Sequence, residues 1–257
     1  MEMFNGCQKI VVCLGVLIVS CHCFAQTQLV QNLDNGISQK VLCLGTSNYV
    51  NSTPGAGGTW IPQVEQALNA LYTGTATFYA EGQSAQNSSR GAEVIGGLMS
   101  QYAPDVVVMG FAINDGTGAY DETARRQNIE SMVSSIRNYD SNTEIIFFNI
   151  ISPEDVTGFD SRSLRPNLQA ALGLWEDIAN ENGLLHVNLF DEWESLRVND
   201  PSTYLSYTTE GVHMNPAGNQ AITTPEFVEY ITTPEPATIT LLGLAGWALA
   251  GRRKRDQ

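Results

Sequence analysis

The chain alternates short apolar runs with longer segments whose apolar residues recur every three or four positions. The clearest run, residues 41–44, stops abruptly at Gly45-Thr46-Ser47. An apolar run without polar alternation predicts a strand buried on both faces, as the strands of a parallel sheet are. Five strands are predicted in all, at residues 41–44, 76–80, 105–110, 144–150 and 184–188.

Segments with helical periodicity separate these strands. Helices are predicted at residues 61–71, 88–102, 121–139 and 164–182. A last helix is predicted to begin at Asn215-Pro216, because Asn favours the cap and Pro the first turn. Strand–helix alternation over five units predicts a single-domain three-layer α/β/α sandwich around a mostly parallel, flavodoxin-like five-stranded sheet. Ligands of such sheets bind at the carboxyl ends of the strands.

The first 25 residues have the features of a secretory signal peptide. A short polar start containing Lys9 precedes an apolar core at residues 10–19, and Cys23-Phe24-Ala25 places small residues at the cleavage-defining positions. We predict cleavage after Ala25. One alternative stays open, because Ile18-Val19-Ser20-Cys21 resembles a lipoprotein box, in which Cys21 would become a lipidated N-terminus.

Residues 233–257 carry three features in a fixed order. Thr233-Pro234-Glu235-Pro236 precedes an almost wholly apolar run at 237–251, and a basic cluster follows at 252–255. This order resembles the PEP-CTERM sorting signal of Gram-negative bacteria. The resemblance implies export, transient anchoring in the inner membrane, and removal of the tail by an exosortase, which would leave the protein at the cell surface or in the extracellular matrix. The alternative is a plain anchor that is never cut.

The remaining residues, 26–232, form one predicted domain, which is long enough for a sizeable core. Its charge and cysteine content limit the partners and cross-links that this domain can have. The chain of 257 residues carries a net charge of −14 at pH 7. An acidic surface repels phosphate backbones and anionic headgroups, so we expect no nucleic-acid partner, and membrane contact only through the C-terminal helix before processing. Cys43 alone remains after signal cleavage, which excludes an internal disulfide.

Two polar residues of this domain are candidates for chemistry. Ser47 follows a buried strand and a glycine, so it stands at the carboxyl edge of the predicted sheet. That pattern alone is typical of a turn. His213 lies in a polar loop, where functional side chains concentrate, whereas His186 lies inside a predicted strand and is expected to be a hydrogen-bonded structural residue. Ser47 and His213 together predict a nucleophile–base pair.

Segments around both residues resemble blocks of the SGNH (GDSL-type) hydrolases. Gly45-Thr46-Ser47 matches the nucleophile block, with Thr46 where the family has Asp, and Glu210-Gly211-Val212-His213 matches the Asp-x-x-His block, with Glu for Asp. The resemblance implies that Ser47 is the nucleophile, His213 the base and Glu210 the triad acid. A simple Ser–His dyad stays open, because this acid is sometimes dispensable in the family.

Two further segments complete the resemblance, which covers the whole mature chain. Gly110-Phe111-Ala112-Ile113-Asn114-Asp115 matches the asparagine block, and residues 80–88 resemble the glycine block, with Ala85 at the glycine position. The implied oxyanion hole consists of the Ser47 and Ala85 backbone N–H groups and the Asn114 side-chain amide. A main-chain donor at position 85 is expected to survive the change from glycine to alanine if φ is negative. Asp115 is expected to brace the loop.

The resemblance implies an exported serine esterase that hydrolyses carboxylic esters of a small molecule or a polysaccharide, and by analogy O-acetyl groups on polysaccharide are the favoured substrate. Two alternatives stay open: a catalytically degenerate carbohydrate- or matrix-binding surface protein, and a lipase or lysophospholipase. The implied partners are therefore the ester substrate and the exosortase machinery. No cofactor or metal is expected, because His186 and His213 have no Cys or carboxylate partner at metal-ligand spacing.

Overall fold

The computed structural model describes residues 27–51, 59–119 and 121–233. The predicted signal peptide, its lipoprotein alternative and the sorting tail from residue 234 onwards lie outside the described residues. Within the part that is described, no helix is both long and apolar enough to cross a membrane.

The sheet has five parallel strands in the order β2-β1-β3-β4-β5, so the predicted parallel sandwich is confirmed. The strands are β1 (Gln39–Gly45), β2 (Ala76–Gly82), β3 (Val106–Gly110), β4 (Glu144–Asn149) and β5 (Leu185–Asn188). A short antiparallel hairpin, β6 (Thr208–Thr209) and β7 (His213–Met214), lies outside this sheet.

Helices cover both faces of the sheet. They are α1 (Gln28–Asp34), α2 (Trp60–Leu71), α3 (Ser88–Tyr102), α4 (Ala112–Asp115), α5 (Glu122–Tyr139), α6 (Leu168–Asn182), α7 (Phe190–Asn199), α8 (Pro201–Tyr207), α9 (Pro216–Gly218) and α10 (Thr224–Thr232). A π-helical turn, Asn219–Thr223, joins α9 to α10. The sequence prediction missed α1, α7, α8 and the hairpin.

Two separate apolar cores show why the strands are apolar on both faces. Val41 and Cys43 of β1 pack with the core that α1, α2, α7, α8 and α10 cover. Leu42 and Leu44 point to the opposite face and pack with the core beneath α3, α5 and α6. Burial of apolar surface on two faces is the main favourable term in the stability of such a layered domain.

Helix α6 begins later than the sequence prediction. The predicted range was 164–182, whereas the helix runs from Leu168 to Asn182. Pro166 explains the difference, because proline disfavours helical geometry in the residue before it, which here is Arg165. Residues 150–167 therefore form a long connection, which we call the β4–α6 loop, and it lies beside the site described next.

The strand order places a crevice between β1 and β3. The chain leaves β1 toward β2 on one side and returns to β3 on the other, so their carboxyl ends form the switch point at which ligands bind in open α/β sheets. Gly45 and Gly110 are paired in register at this edge. A Cβ at Gly110 would lie 2.0 Å from the Phe148 carbonyl oxygen, which explains the need for glycine there.

Candidate active site

Ser47 begins a turn of 3-10 helix, Ser47–Tyr49, directly after β1. Thr46 precedes it and is buried, and its hydroxyl accepts a long hydrogen bond of 3.4 Å from the Asn48 backbone N–H. A Cβ at Gly45 would lie 2.2 Å from the Tyr49 ring, so only glycine lets the chain turn this tightly. The hydroxyl of Ser47 is consequently presented, half-buried, at the carboxyl edge of the sheet.

His213 meets Ser47 although 166 positions separate them in the chain. Its Nε2 lies 2.8 Å from the Ser47 Oγ, within hydrogen-bond distance. Strand β7 carries His213, and its pairing with β6 fixes the backbone on which the imidazole stands. The sequence predicted that these two side chains would meet, and the structure brings them together.

Glu210 lies on the other side of the imidazole. One of its carboxylate oxygens, Oε2, is 3.4 Å from His213 Nδ1, and 41% of its side chain is exposed. The residue has a positive φ of 57°, which is uncommon for a residue other than glycine. The contact satisfies the ion-pair distance but is longer than a strong charge-assisted hydrogen bond.

The local environment keeps the imidazole neutral at pH 7. Burial lowers the pKa of His213 below its ordinary value, the Glu210 carboxylate opposes that shift, and the Arg165 guanidinium adds to it. A neutral imidazole whose Nε2 faces a hydroxyl can accept the hydroxyl proton.

The β4–α6 loop holds the backbone of the hairpin turn that carries Glu210. The Ser161 hydroxyl donates to the Glu210 carbonyl at 2.5 Å, and the Glu154 N–H donates to the Gly211 carbonyl at 2.8 Å. From α8, the Tyr204 hydroxyl also lies 3.1 Å from the Gly211 carbonyl. The single hydroxyl hydrogen of Tyr204 has its shorter contact, 2.6 Å, to the Ser152 carbonyl, so the turn between β6 and β7 is fixed chiefly by the two donors of the β4–α6 loop.

Asn114 lies in α4, one turn after β3, and is buried. Its Nδ2 donates to the Gln86 carbonyl at 2.8 Å, and its Oδ1 lies 3.4 Å from Nη2 of Arg165. The structure thus joins the asparagine block to the loop that contains Ala85.

Ala85 corrects one expectation. The main-chain donor was expected to survive the change from glycine to alanine if φ were negative, whereas the structure has φ of 57°. This left-handed geometry is the one that glycine adopts without cost. The residue is exposed in the loop between β2 and α3.

Asp115 is fully buried and makes structural contacts. It accepts from the Ser88 N–H at 2.9 Å and hydroxyl at 2.8 Å, and from the Trp175 indole N–H at 3.0 Å. Burial raises the pKa of this carboxyl, and those hydrogen bonds oppose the shift. These contacts join α4 to α3 and α6, as expected for a residue that braces the loop.

His186 is hydrogen-bonded within the sheet, as expected. Its Nε2 lies 2.9 Å from Nδ2 of Asn149 on β4, and burial lowers its pKa to about 4. Over the described residues, no group of three or more His, Cys, Asp or Glu side chains could hold a metal ion.

Sequence reasoning missed Arg165 and Ser161. Both lie in the β4–α6 loop, and their partners lie about fifty residues away in the chain, so no local motif marks them. Pro166 was the one available signal, because it delays the start of the predicted helix and leaves Arg165 in a loop.

A serine and a neutral histidine within hydrogen-bond distance at the carboxyl edge of an α/β sheet form an arrangement used by serine hydrolases. The model of the GDSL-like lipase/acylhydrolase family matches residues 43–221, and the chain belongs to that family. No curated protein sequence matches the chain.

Solved structures show the same fold at low sequence identity. A lipase/acylhydrolase from Enterococcus faecalis superposes with a TM-score of 0.60 at 18% identity, covering 77% of this chain and all of that one. An acetyl xylan esterase has a TM-score of 0.61 at 15% identity, covering 74% and 98%. A two-domain esterase active on acetylated mannans has a TM-score of 0.61 at 18% identity, covering 81% of this chain but 54% of its own.

The model of the PEP-CTERM protein-sorting motif matches residues 232–255. The motif indicates export by the exosortase route of Gram-negative bacteria, in agreement with the sequence prediction.

Proposed function

We propose that the chain is an exported serine ester hydrolase in which Ser47 is the nucleophile and His213 the general base. The observation that carries the proposal is the 2.8 Å contact between His213 Nε2 and Ser47 Oγ. Family membership supports hydrolysis of esters in general. The roles of the individual residues are part of the proposal.

The reaction has two halves. Ser47 Oγ attacks the ester carbonyl carbon while His213 Nε2 takes the hydroxyl proton, and the tetrahedral oxyanion is held by the Ser47 and Ala85 N–H groups and the Asn114 amide. The protonated His213 then gives its proton to the departing alcohol, which leaves an acyl-serine. Water, deprotonated by the same imidazole, attacks that acyl group and releases the acid and free Ser47.

Glu210 is proposed to favour the charged imidazole during both halves. Replacement by Gln keeps the shape and removes the charge, so we expect Glu210→Gln to lower kcat on p-nitrophenyl acetate about 10-fold or more. The expected loss is smaller than at a buried triad acid, because this carboxylate is partly solvated. Unchanged turnover would remove Glu210 from the mechanism and leave a dyad.

O-acetyl groups on polysaccharide are the proposed substrate. The export signal supports a site of action outside the cell, where polysaccharide is found, and two solved structures of the same fold are esterases described as acting on acetylated polysaccharide. These observations favour a short acyl group over the lipase alternative.

The test is a panel of acetylated oligosaccharides, p-nitrophenyl acetate and p-nitrophenyl palmitate, with Ser47→Ala as the control. We expect Ser47-dependent release of acetate and little or no hydrolysis of the palmitate ester. Preference for the long chain would favour a lipase. Saturable oligosaccharide binding by the parent and Ser47→Ala alike, without turnover, would favour the degenerate binding protein, which the Thr46 and Ala85 departures also fit.

A further inference from the structure

Asn114 is held at both ends of its side-chain amide. The guanidinium of Arg165 can only donate, so the amide oxygen must face it, and the Gln86 carbonyl can only accept, so the amide nitrogen must face that group. The orientation of the amide is therefore fixed by chemistry. Nδ2 has two hydrogens, of which one is used by Gln86.

Arg165 is itself fixed by main-chain carbonyls. Its Nε donates to the Ile113 carbonyl at 2.9 Å, and its Nη1 donates to the Ser161 carbonyl. Ile113 adjoins Asn114, and Ser161 donates to the backbone of Glu210. A single guanidinium thus spans the loop behind the oxyanion hole and the loop behind the histidine.

The charge of Arg165 has no counter-ion among the described residues. Within the described residues, no carboxylate oxygen lies within 4.0 Å of its guanidinium, and all three acceptors are neutral. Arg162 of the same loop differs, because it pairs with Glu194 at 3.1 Å. A half-buried cation without a counter-ion is costly, and it is uncommon in a chain with twice as many acidic as basic residues.

We propose that Arg165 is a positioning residue of the oxyanion hole, which aims the second Nδ2 hydrogen of Asn114 at the reacting oxygen and supplies uncompensated positive potential there. The inference rests on the proposed function. Its physical basis is that negative charge develops on that oxygen in the transition state, so preorganised donors and a fixed cation accelerate the step.

Two substitutions separate orientation from charge. Arg165→Met removes both, and Arg165→Lys keeps the charge but lacks the planar fork that reaches three acceptors. Arg137→Met is the matched control, because Arg137 also donates to two main-chain carbonyls, those of Ser141 and Thr143, at the other end of the sheet. All are compared on p-nitrophenyl acetate over a range of pH.

For Arg165→Met we expect kcat to fall about 10- to 100-fold with KM nearly unchanged. Without the guanidinium charge the His213 imidazole binds a proton more readily, so the acidic limb of kcat/KM should move to higher pH. For Arg165→Lys we expect a similar loss in kcat, whereas the acidic limb of kcat/KM should stay at nearly the same pH as in the parent. When Asn114 is already replaced by alanine, Arg165→Met should lower kcat by a smaller factor than it does in the parent.

The inference is overturned if Arg165→Met and Arg137→Met have the same kcat and pH limb. If Arg165→Met does not fold, Arg165→Lys decides, and parent-like kcat in that variant overturns the inference. If the substitutions change thermal stability but not kcat, Arg165 only holds the two loops together, and the inference is likewise overturned. These results leave Ser47-dependent hydrolysis by the parent intact, whereas failure of the proposed function would abolish that activity itself.

Discussion

At the scale of single residues, the loops of the site store backbone strain. Ala85 and Glu210 both have φ of 57°, although neither is a glycine. A left-handed conformation costs a residue with a Cβ about 1–2 kcal/mol, and such strain concentrates at functional sites. Positive φ at both positions indicates that contacts within the site hold the backbone in a conformation that Ala85 and Glu210 do not themselves prefer.

Glycine at position 85 should relieve this strain. We expect Ala85→Gly to raise the free energy of unfolding by up to about 1 kcal/mol, because the relief exceeds the extra entropy of glycine in the unfolded chain. If the Ala85 N–H is an oxyanion donor, kcat should also change. Urea unfolding and p-nitrophenyl acetate turnover measure the two effects.

Ala103 provides the control for that variant. It has φ of 45° at the C-terminal cap of α3, away from the site. Ala103→Gly should bring a similar gain in stability and leave turnover unchanged. A loss of stability in both variants would mean that the left-handed backbone carries no strain.

Residues of the site differ in how far the sequence predicts them. Ser47 and Asn114 each follow a recognisable strand, so their chain positions indicate a shared sheet edge. His213 was indicated instead by its place in a polar loop. Arg165 has no such signal, because its role depends on contacts to neutral carbonyls that only the folded loop brings near. The positive φ of Ala85 was likewise invisible, since alanine itself favours negative φ.

At the scale of elements, the β6–β7 turn depends on close backbone contact with the β4–α6 loop. Gly211 has φ of 67°, and a Cβ there would lie 2.0 Å from the Glu154 carbonyl oxygen. Main-chain atoms cannot give way as a flexible side chain can. Glycine is therefore required for the loop to hold the turn that carries Glu210 and His213.

Substitution at this contact should impair both stability and turnover. We expect Gly211→Ala to lower the free energy of unfolding by about 2 kcal/mol or more and kcat at least 10-fold, because the turn must move away from the loop. Gly158→Ala is the matched control: its φ is 88°, but a Cβ there would meet open space. Gly158→Ala should lower the free energy of unfolding by about 1 kcal/mol and leave kcat equal to that of the parent. Equal kcat in the two variants would contradict this account of the turn.

The elements that sequence patterns predicted are those with strong periodicity. The five strands and α2, α3 and α5 were confirmed, because apolar residues recur along them with the spacing of a strand or a helix. Helices α7 and α8 are short and bury few residues, chiefly Phe190, Trp193 and Tyr204, so no periodic pattern marks them. The hairpin of β6 and β7 has two residues in each strand, too few for any pattern.

At the scale of the whole molecule, a histidine buried inside the sheet makes the free energy of unfolding depend on pH. His186 is held neutral inside the sheet with a pKa of about 4, against about 6.5 in the unfolded chain. Between those values the unfolded chain binds more protons, so the free energy of unfolding must fall as pH falls from 6.5 to 4.

We expect the His186 contribution to this loss to be about 2 kcal/mol, after allowance for partial solvent exposure. His186→Gln keeps an acceptor for Asn149 and removes the titration, so its free energy of unfolding should fall less over this range than that of the parent. Urea unfolding at pH 4, 5, 6 and 7 measures the difference. Parallel pH curves for parent and variant would show that His186 does not titrate abnormally.

The central claim is that Ser47 is activated by His213, and covalent labelling tests it most directly. A fluorophosphonate attacked by an activated serine forms a stable adduct, whose position is found by intact-mass and peptide mass spectrometry. We predict one adduct on the parent, located at Ser47, absent in Ser47→Ala and strongly slowed in His213→Ala. No adduct on the folded parent, or equal labelling of the Ser47→Ala variant, would contradict the account.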